Sequence, residues 1–176
     1  MATTYLEILD TTIKIGLGAL ISGITTWRIT KLQHRNDDEK QKKIRRIENL
    51  ELVAEQVEVF SHHAMIYWTR IVDFTRRQEN NISHNEEQLK ELRDARANVY
   101  GSYKNLNSAE SKLLLLGLTE SQQTLRSFGQ AVSIFYAEIY IGNHGKSLEE
   151  VKKWREDLLE NRRIFFKYLS LAYTLS

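Results

Sequence analysis

From residue 47 onward, hydrophobic residues recur every three or four positions, in four stretches separated by short polar or glycine-containing breaks. The first is Ile47, Leu50, Ala54, Val57, Ser61, Ala64, Trp68 and Ile71, an alternation that predicts one buried helix face. Residues 78–81 are Gln, Glu, Asn and Asn, so this helix is expected to end near Arg77. Ser83, with Glu86 three residues later, has the pattern of a capping box and predicts the next start. The second seam is Leu92, Ala95, Val99, Ser102, Leu106, Ala109, Leu113 and Leu116. Its phase never slips, so the weak helix formers at 105–108 are not expected to break it. Both seams mix small with large residues, which predicts a closely packed antiparallel hairpin.

Gly117 is placed to end the second helix in a left-handed turn, and Thr119 to cap the third. Leu125, Phe128, Val132, Phe135 and Ile139 form the third stripe, and Gly, Asn, His and Gly at 142–145 read as a turn. Ser147 with Glu150 is a second capping box, opening a fourth helix through Val151, Trp154, Leu158, Phe165 and Leu169. Short connections make successive helices antiparallel, so residues 47–176 are expected to form an up-down bundle of about four long helices.

Before the first seam the pattern changes twice. Residues 31–46 hold only Leu32 and Ile44 as large apolar residues and read as a charged helical stalk, with Asp38–Lys42 and Glu39–Lys43 at the favourable spacing. Residues 1–30 read as an N-terminal anchor. The uncharged core at 15–27 is 13 residues long, short of the roughly 20 that a span needs. Taking the segment as residues 8–30 gives a helix of roughly 34 Å at the cost of including Asp10 and Lys14. Those two lie four apart and can pair, Lys14 can snorkel, and Trp27 sits where an interfacial aromatic belongs. A signal peptide fits worse, because acid rather than base precedes the segment and no small-residue cleavage site closes it. The expectation is one transmembrane helix.

Charge then orients it. Residues 28–46 carry Arg28, Lys31, Arg35, Lys40, Lys42, Lys43, Arg45 and Arg46, whereas residues 1–12 carry Glu7 and Asp10 and no basic side chain. Base on one flank puts the N-terminus outside and the bundle in the cytoplasm of a cell inner membrane. These basic residues suit anionic headgroups. Topology accounts for them and no aromatics interleave, so nucleic acid is not an expected partner. One face of the anchor is small throughout: Thr12, Gly16, Ala19, Gly23, Thr26 and Thr30, at spacings of 4, 3, 4, 3 and 4. Small residues let helices approach closely in lipid, so this face is a candidate self-association seam.

Composition narrows the chemistry. The chain of 176 residues has no proline, where average usage is roughly 5%, and this favours uninterrupted helices. It has no cysteine, which removes disulfides, thiolate metal sites and a cysteine nucleophile. Its five histidines, His34, His62, His63, His84 and His144, are preceded at three residues by Lys31, Val59, Phe60, Asn81 and Ile141. The Glu-x-x-His pattern of di-iron bundles is therefore absent. Glu58 and His62, four apart, read as an exposed ion pair rather than a metal site. No phosphate loop or nucleophile elbow occurs. Phe135, Tyr136, Tyr140, Phe165 and Tyr168, with Phe166 and Tyr173 nearby, are a candidate pocket lining, though aromatics at helical spacing usually pack a core.

The sequence thus predicts a non-enzymatic membrane protein, without cofactor, metal or small-molecule substrate. It would act as a scaffold, tether or regulator through a protein partner or as a homo-oligomer. The alternative is an oligomerising effector that perturbs the bilayer through its small-residue face. In layout alone, with no shared motif, that alternative is similar to small anchored proteins of phage-exclusion and defence systems.

Overall fold

The computed structural model describes residues 2–139 and 146–174, with side chains described at 26, 27 and 30 and, within those ranges, from 37 onward. The described chain is all-helical: α1 (Ala2–Glu79), α2 (Glu86–Leu115), α3 (Thr119–Glu138) and α4 (Leu148–Thr174). It divides into two compact units, Met1–Arg45 and Arg46–Ser176. In the first, residues 37–45 expose every side chain to solvent, as a helix with so few apolar residues must. Among the described residues no helix is long and apolar enough to cross a membrane. The side chains of the segment expected to span, apart from Thr26, Trp27 and Thr30, lie outside the described set.

The second unit is a four-helix bundle, and its bridges give its topology. Gln56 bonds Ser108 and Arg70 pairs with Glu91, so α2 runs antiparallel to α1. Phe60 packs on Phe128 and Tyr67 on Phe135, so α3 runs parallel to α1. Tyr173 reaches Glu51 and Trp68 reaches the Val151 carbonyl, so α4 is antiparallel again. This is the up-down order that short connections predict.

The α1 core face is wider than its expected seam. Leu50, Val53, Val57, Phe60, Ala64, Tyr67 and Ile71 are each at most 1% exposed and also alternate by 3 and 4. Val53, Phe60 and Tyr67 are the deepest positions where Ala54, Ser61 and Trp68 were expected; Ser61 is buried, while Ala54 and Trp68 are half-buried. A helix flanked by three others buries a broader arc than the narrow seam of a two-stranded coil. The α2 seam is as expected, from Leu92 to Leu113, and so are Leu125, Phe128, Val132 and Phe135 of α3 and Ile139 just past its end.

Helix ends follow from backbone chemistry, with two corrections. α1 closes in a Schellman motif: the Ile82 amide bonds the Arg77 carbonyl, the Asn81 amide bonds Gln78, and Asn81 takes φ 55°. α2 closes the same way through Leu118 to Leu113 and Gly117 to Leu114, with Gly117 at φ 71° as its sequence position predicts. The α2 capping box, however, is Asn85 with Gln88 and not Ser83 with Glu86. The His84 ring stacks on Phe74 at 4.1 Å and bonds its carbonyl, which ties down residues 82–84 before the helix begins. Thr119 is likewise not a cap: Leu118 holds that place without a side-chain bond, because the Schellman turn delivers the chain directly into α3. The Ser147–Glu150 box stands as expected, and it holds the Glu150 carboxyl below its ordinary range. The turn expected at 142–145 lies outside the described residues.

Candidate functional site

Of the basic residues singled out in sequence, Lys40, Lys42, Lys43 and Arg45 are exposed and Arg46 is half-buried. The side chains of Arg28, Lys31 and Arg35 lie outside the described set, as do those of Thr12, Gly16, Ala19 and Gly23 from the small-residue face. Thr26, Thr30 and Trp27 are exposed, Trp27 at 61%.

The aromatic group is divided between core and surface. Phe135 and Phe165 are fully buried, Tyr136 and Tyr168 are half-buried, and Tyr140 lies outside the described residues. Phe135 meets Tyr67 and Trp154 at 5.6 and 5.9 Å, whereas Phe165 meets Phe166 at 5.0 Å, eleven residues further along α4. Around Phe135 lies a polar inclusion that the sequence pattern does not show. The Tyr67 hydroxyl donates to the Ile139 carbonyl at 2.5 Å, and the Arg96 guanidinium lies over the Tyr136 ring at 4.5 Å. Burial pushes the Tyr67 phenol up to about 12, against the opposing pull of Arg96. Burial also raises Tyr103, with Ser133 opposing it from outside hydrogen-bond geometry. A Tyr67 phenol held neutral so far above neutral pH is a fixed donor to Ile139 rather than a proton carrier.

The Glu58–His62 ion pair does not form: the Glu58 carboxylate is taken by Arg162 of α4, and His62 is exposed beside His63. Among the described residues no three His, Asp or Glu side chains gather as a metal site. Between α1 and α4, Leu50, Ala54, Phe166, Leu169 and Tyr173 line an apolar furrow of about 250 Å³. Arg162, which also covers the Phe166 ring at 5.0 Å, lies beside it. Its volume falls just below the roughly 300–1,000 Å³ of ordinary ligand sites.

The outer face of α1 is the more informative surface. Glutamates stand at 48, 51, 55 and 58, three or four apart. Those turned toward α4 are satisfied, Glu51 by the Tyr173 hydroxyl at 3.3 Å and Glu58 by Arg162. Glu48 and Glu55 are exposed with no partner among the described residues. Where α1 meets α2, Gln56 and Lys112 both donate to the Ser108 hydroxyl, at 3.1 and 2.8 Å. Exposed leucines flank this bridge: Leu52, one turn before Gln56, and Leu115, two turns after Ser108 and 87% exposed. The α2 phase predicts that Leu114 and Leu115 face outward between Leu113 and Leu116, but nothing in the sequence assigns them a role. Compared with known protein families, characterised proteins and solved structures, the chain matches none.

Proposed function

We propose that this is a single-pass membrane-anchored helical-bundle protein that works by contact, as a scaffold, tether or regulator, without catalysing a reaction. The observation that carries this reading is the order of segments: apolar residues 8–30, the basic run at 28–46, then the bundle. The N-terminus lies outside the cell inner membrane and the bundle in the cytoplasm, where it meets a second copy or a protein partner. Because the chain has no cysteine, Ala2→Cys and Ser83→Cys each introduce a unique label. In intact cells an impermeant maleimide labels Ala2→Cys, and it labels Ser83→Cys only after permeabilisation. The reverse pattern overturns the orientation, and a full-length chain that washes off membranes in alkaline carbonate overturns the anchor.

The regular spacing of Thr12, Gly16, Ala19, Gly23, Thr26 and Thr30 favours a second reading, a membrane effector whose anchors assemble and breach the bilayer. On this reading overexpression releases a trapped dye, and Gly23→Leu or Ala19→Leu suppresses the release. A wild-type chain that causes no leakage removes this reading.

A further inference from the structure

We propose that the outer edge of the α1–α2 pair is a self-complementary interface that takes a second copy of this chain across a two-fold axis parallel to the bundle. This inference rests on the self-association reading and names the surface that performs it.

The edge has one charge sign on each helix. On α1, Glu48, Leu52 and Glu55 follow at intervals of four and three and so share a face. On α2, Lys104 and Lys112 lie eight apart on one face, with Leu115 three further on. The Gln56–Ser108 bond fixes the register within a copy, so Leu52 stands level with Lys112, and Glu55 stands between Lys104 and Lys112. A two-fold axis parallel to the helices preserves height while bringing α1 of one copy against α2 of the other. Glu48 and Glu55 then meet Lys112 and Lys104 of the second copy, within about one and a half turns. Leu52 comes beside the second copy's Leu115, and the whole set repeats on the other side of the axis, as an isologous contact requires.

Three observations single out this occupant. Glu48, Glu55 and Lys104 are exposed and have no partner among the described residues, whereas their neighbours Glu51 and Glu58 are satisfied within the chain. Leu115 is the most exposed large hydrophobic residue described, beside a turn whose Schellman bonds hold it in place. The proposed axis also leaves the Arg46 end of both bundles pointing the same way, as two copies anchored in one membrane must. An antiparallel pairing would point those ends apart.

The test uses the full-length chain in detergent or nanodiscs. Leu52→Cys protein mixed with Leu115→Cys protein is expected to form a disulfide-linked pair on oxidation, while Lys90→Cys, toward the other end of α2, does not. Leu115→Glu is expected to raise the concentration at half-dimerisation about tenfold. Glu55→Lys is expected to weaken association, and Lys104→Glu in the same chain to restore it. A wild-type chain that stays monomeric at every concentration overturns both this interface and the self-association reading. A chain that associates without the cross-link, and is indifferent to Leu115→Glu, overturns the interface and leaves self-association standing. If Leu115→Glu abolishes binding to anionic vesicles but leaves association intact, the surface belongs to lipid and the proposal fails.

Discussion

At Gly117 the backbone turns to φ 71°, where an L side chain crowds the neighbouring carbonyl, whereas Gly101 sits exposed in the middle of α2 with nothing within 4 Å of an added Cβ. The same methyl group therefore acts in opposite directions. Gly117→Ala is expected to destabilise the bundle by about 1 kcal/mol, because alanine resists the left-handed region. Gly101→Ala is expected to stabilise it by about the same amount through helix propensity. Paired thermal melts decide both, and a fall at Gly101 or a rise at Gly117 contradicts the assigned geometry. Tyr67 is the other residue with a measurable signature. Its folded pKa of about 12 lies above the ordinary tyrosine value of 10.0, so the folded state holds the proton more tightly. Its contribution is complete below about pH 10 and is lost as the pH rises toward 12. Tyr67→Phe is expected to lower stability at neutral pH by about 1–2 kcal/mol and to flatten the alkaline fall. An unchanged alkaline limb rules out Tyr67 as its source.

At the level of elements, the boundaries separate what sequence pattern carries from what it does not. The α2 seam and the Ser147–Glu150 cap are legible because each rests on spacing within one helix. The start of α2 is not, because two residue pairs three apart, Ser83–Glu86 and Asn85–Gln88, satisfy the same local rule. The choice between them is made by a tertiary contact, His84 on Phe74 of α1. Asn85→Ala is accordingly expected to cost about 1 kcal/mol, and Ser83→Ala to leave the melting temperature unchanged. A larger loss at Ser83 than at Asn85 reverses that assignment. The α1 face was partly legible for a related reason. Periodicity gives the direction in which a helix is buried, but the width of the buried arc depends on how many neighbours surround it. Phe60 shows this: off the expected seam, it touches both Tyr103 and Phe128. The edge formed by Glu48, Glu55, Lys104 and Lys112 is hidden in the same way, since only the register between two helices sets its acids and bases at neighbouring heights.

For the molecule as a whole, the division at Arg45 and Arg46 carries a direct consequence for folding. Among the described side chains, burial in α1 begins at Leu50, and every buried hydrophobic one lies between Leu50 and Ala172. The bridges that define the topology, from Tyr173–Glu51 to the Leu148 amide on the Glu79 carboxylate, also start after residue 46. Residues 37–45 contribute exposed side chains and no core. A fragment of residues 46–176 therefore retains every buried hydrophobic side chain described, while it loses the apolar and basic segments assigned to the membrane. It is expected to be soluble without detergent, strongly helical by circular dichroism, and to melt in one cooperative transition, as single domains of this size commonly do. Moving the start to residue 58 removes Leu50, Val53 and Val57, which at about 1.5–3 kcal/mol each is comparable with the roughly 5–15 kcal/mol that holds a typical domain together. That shorter fragment is expected to lose the cooperative melt. If instead residues 46–176 fail to fold while the full-length chain melts cooperatively, the N-terminal unit supplies stability that the exposed side chains at 37–45 give no reason to expect, and the division at Arg46 is not a folding boundary.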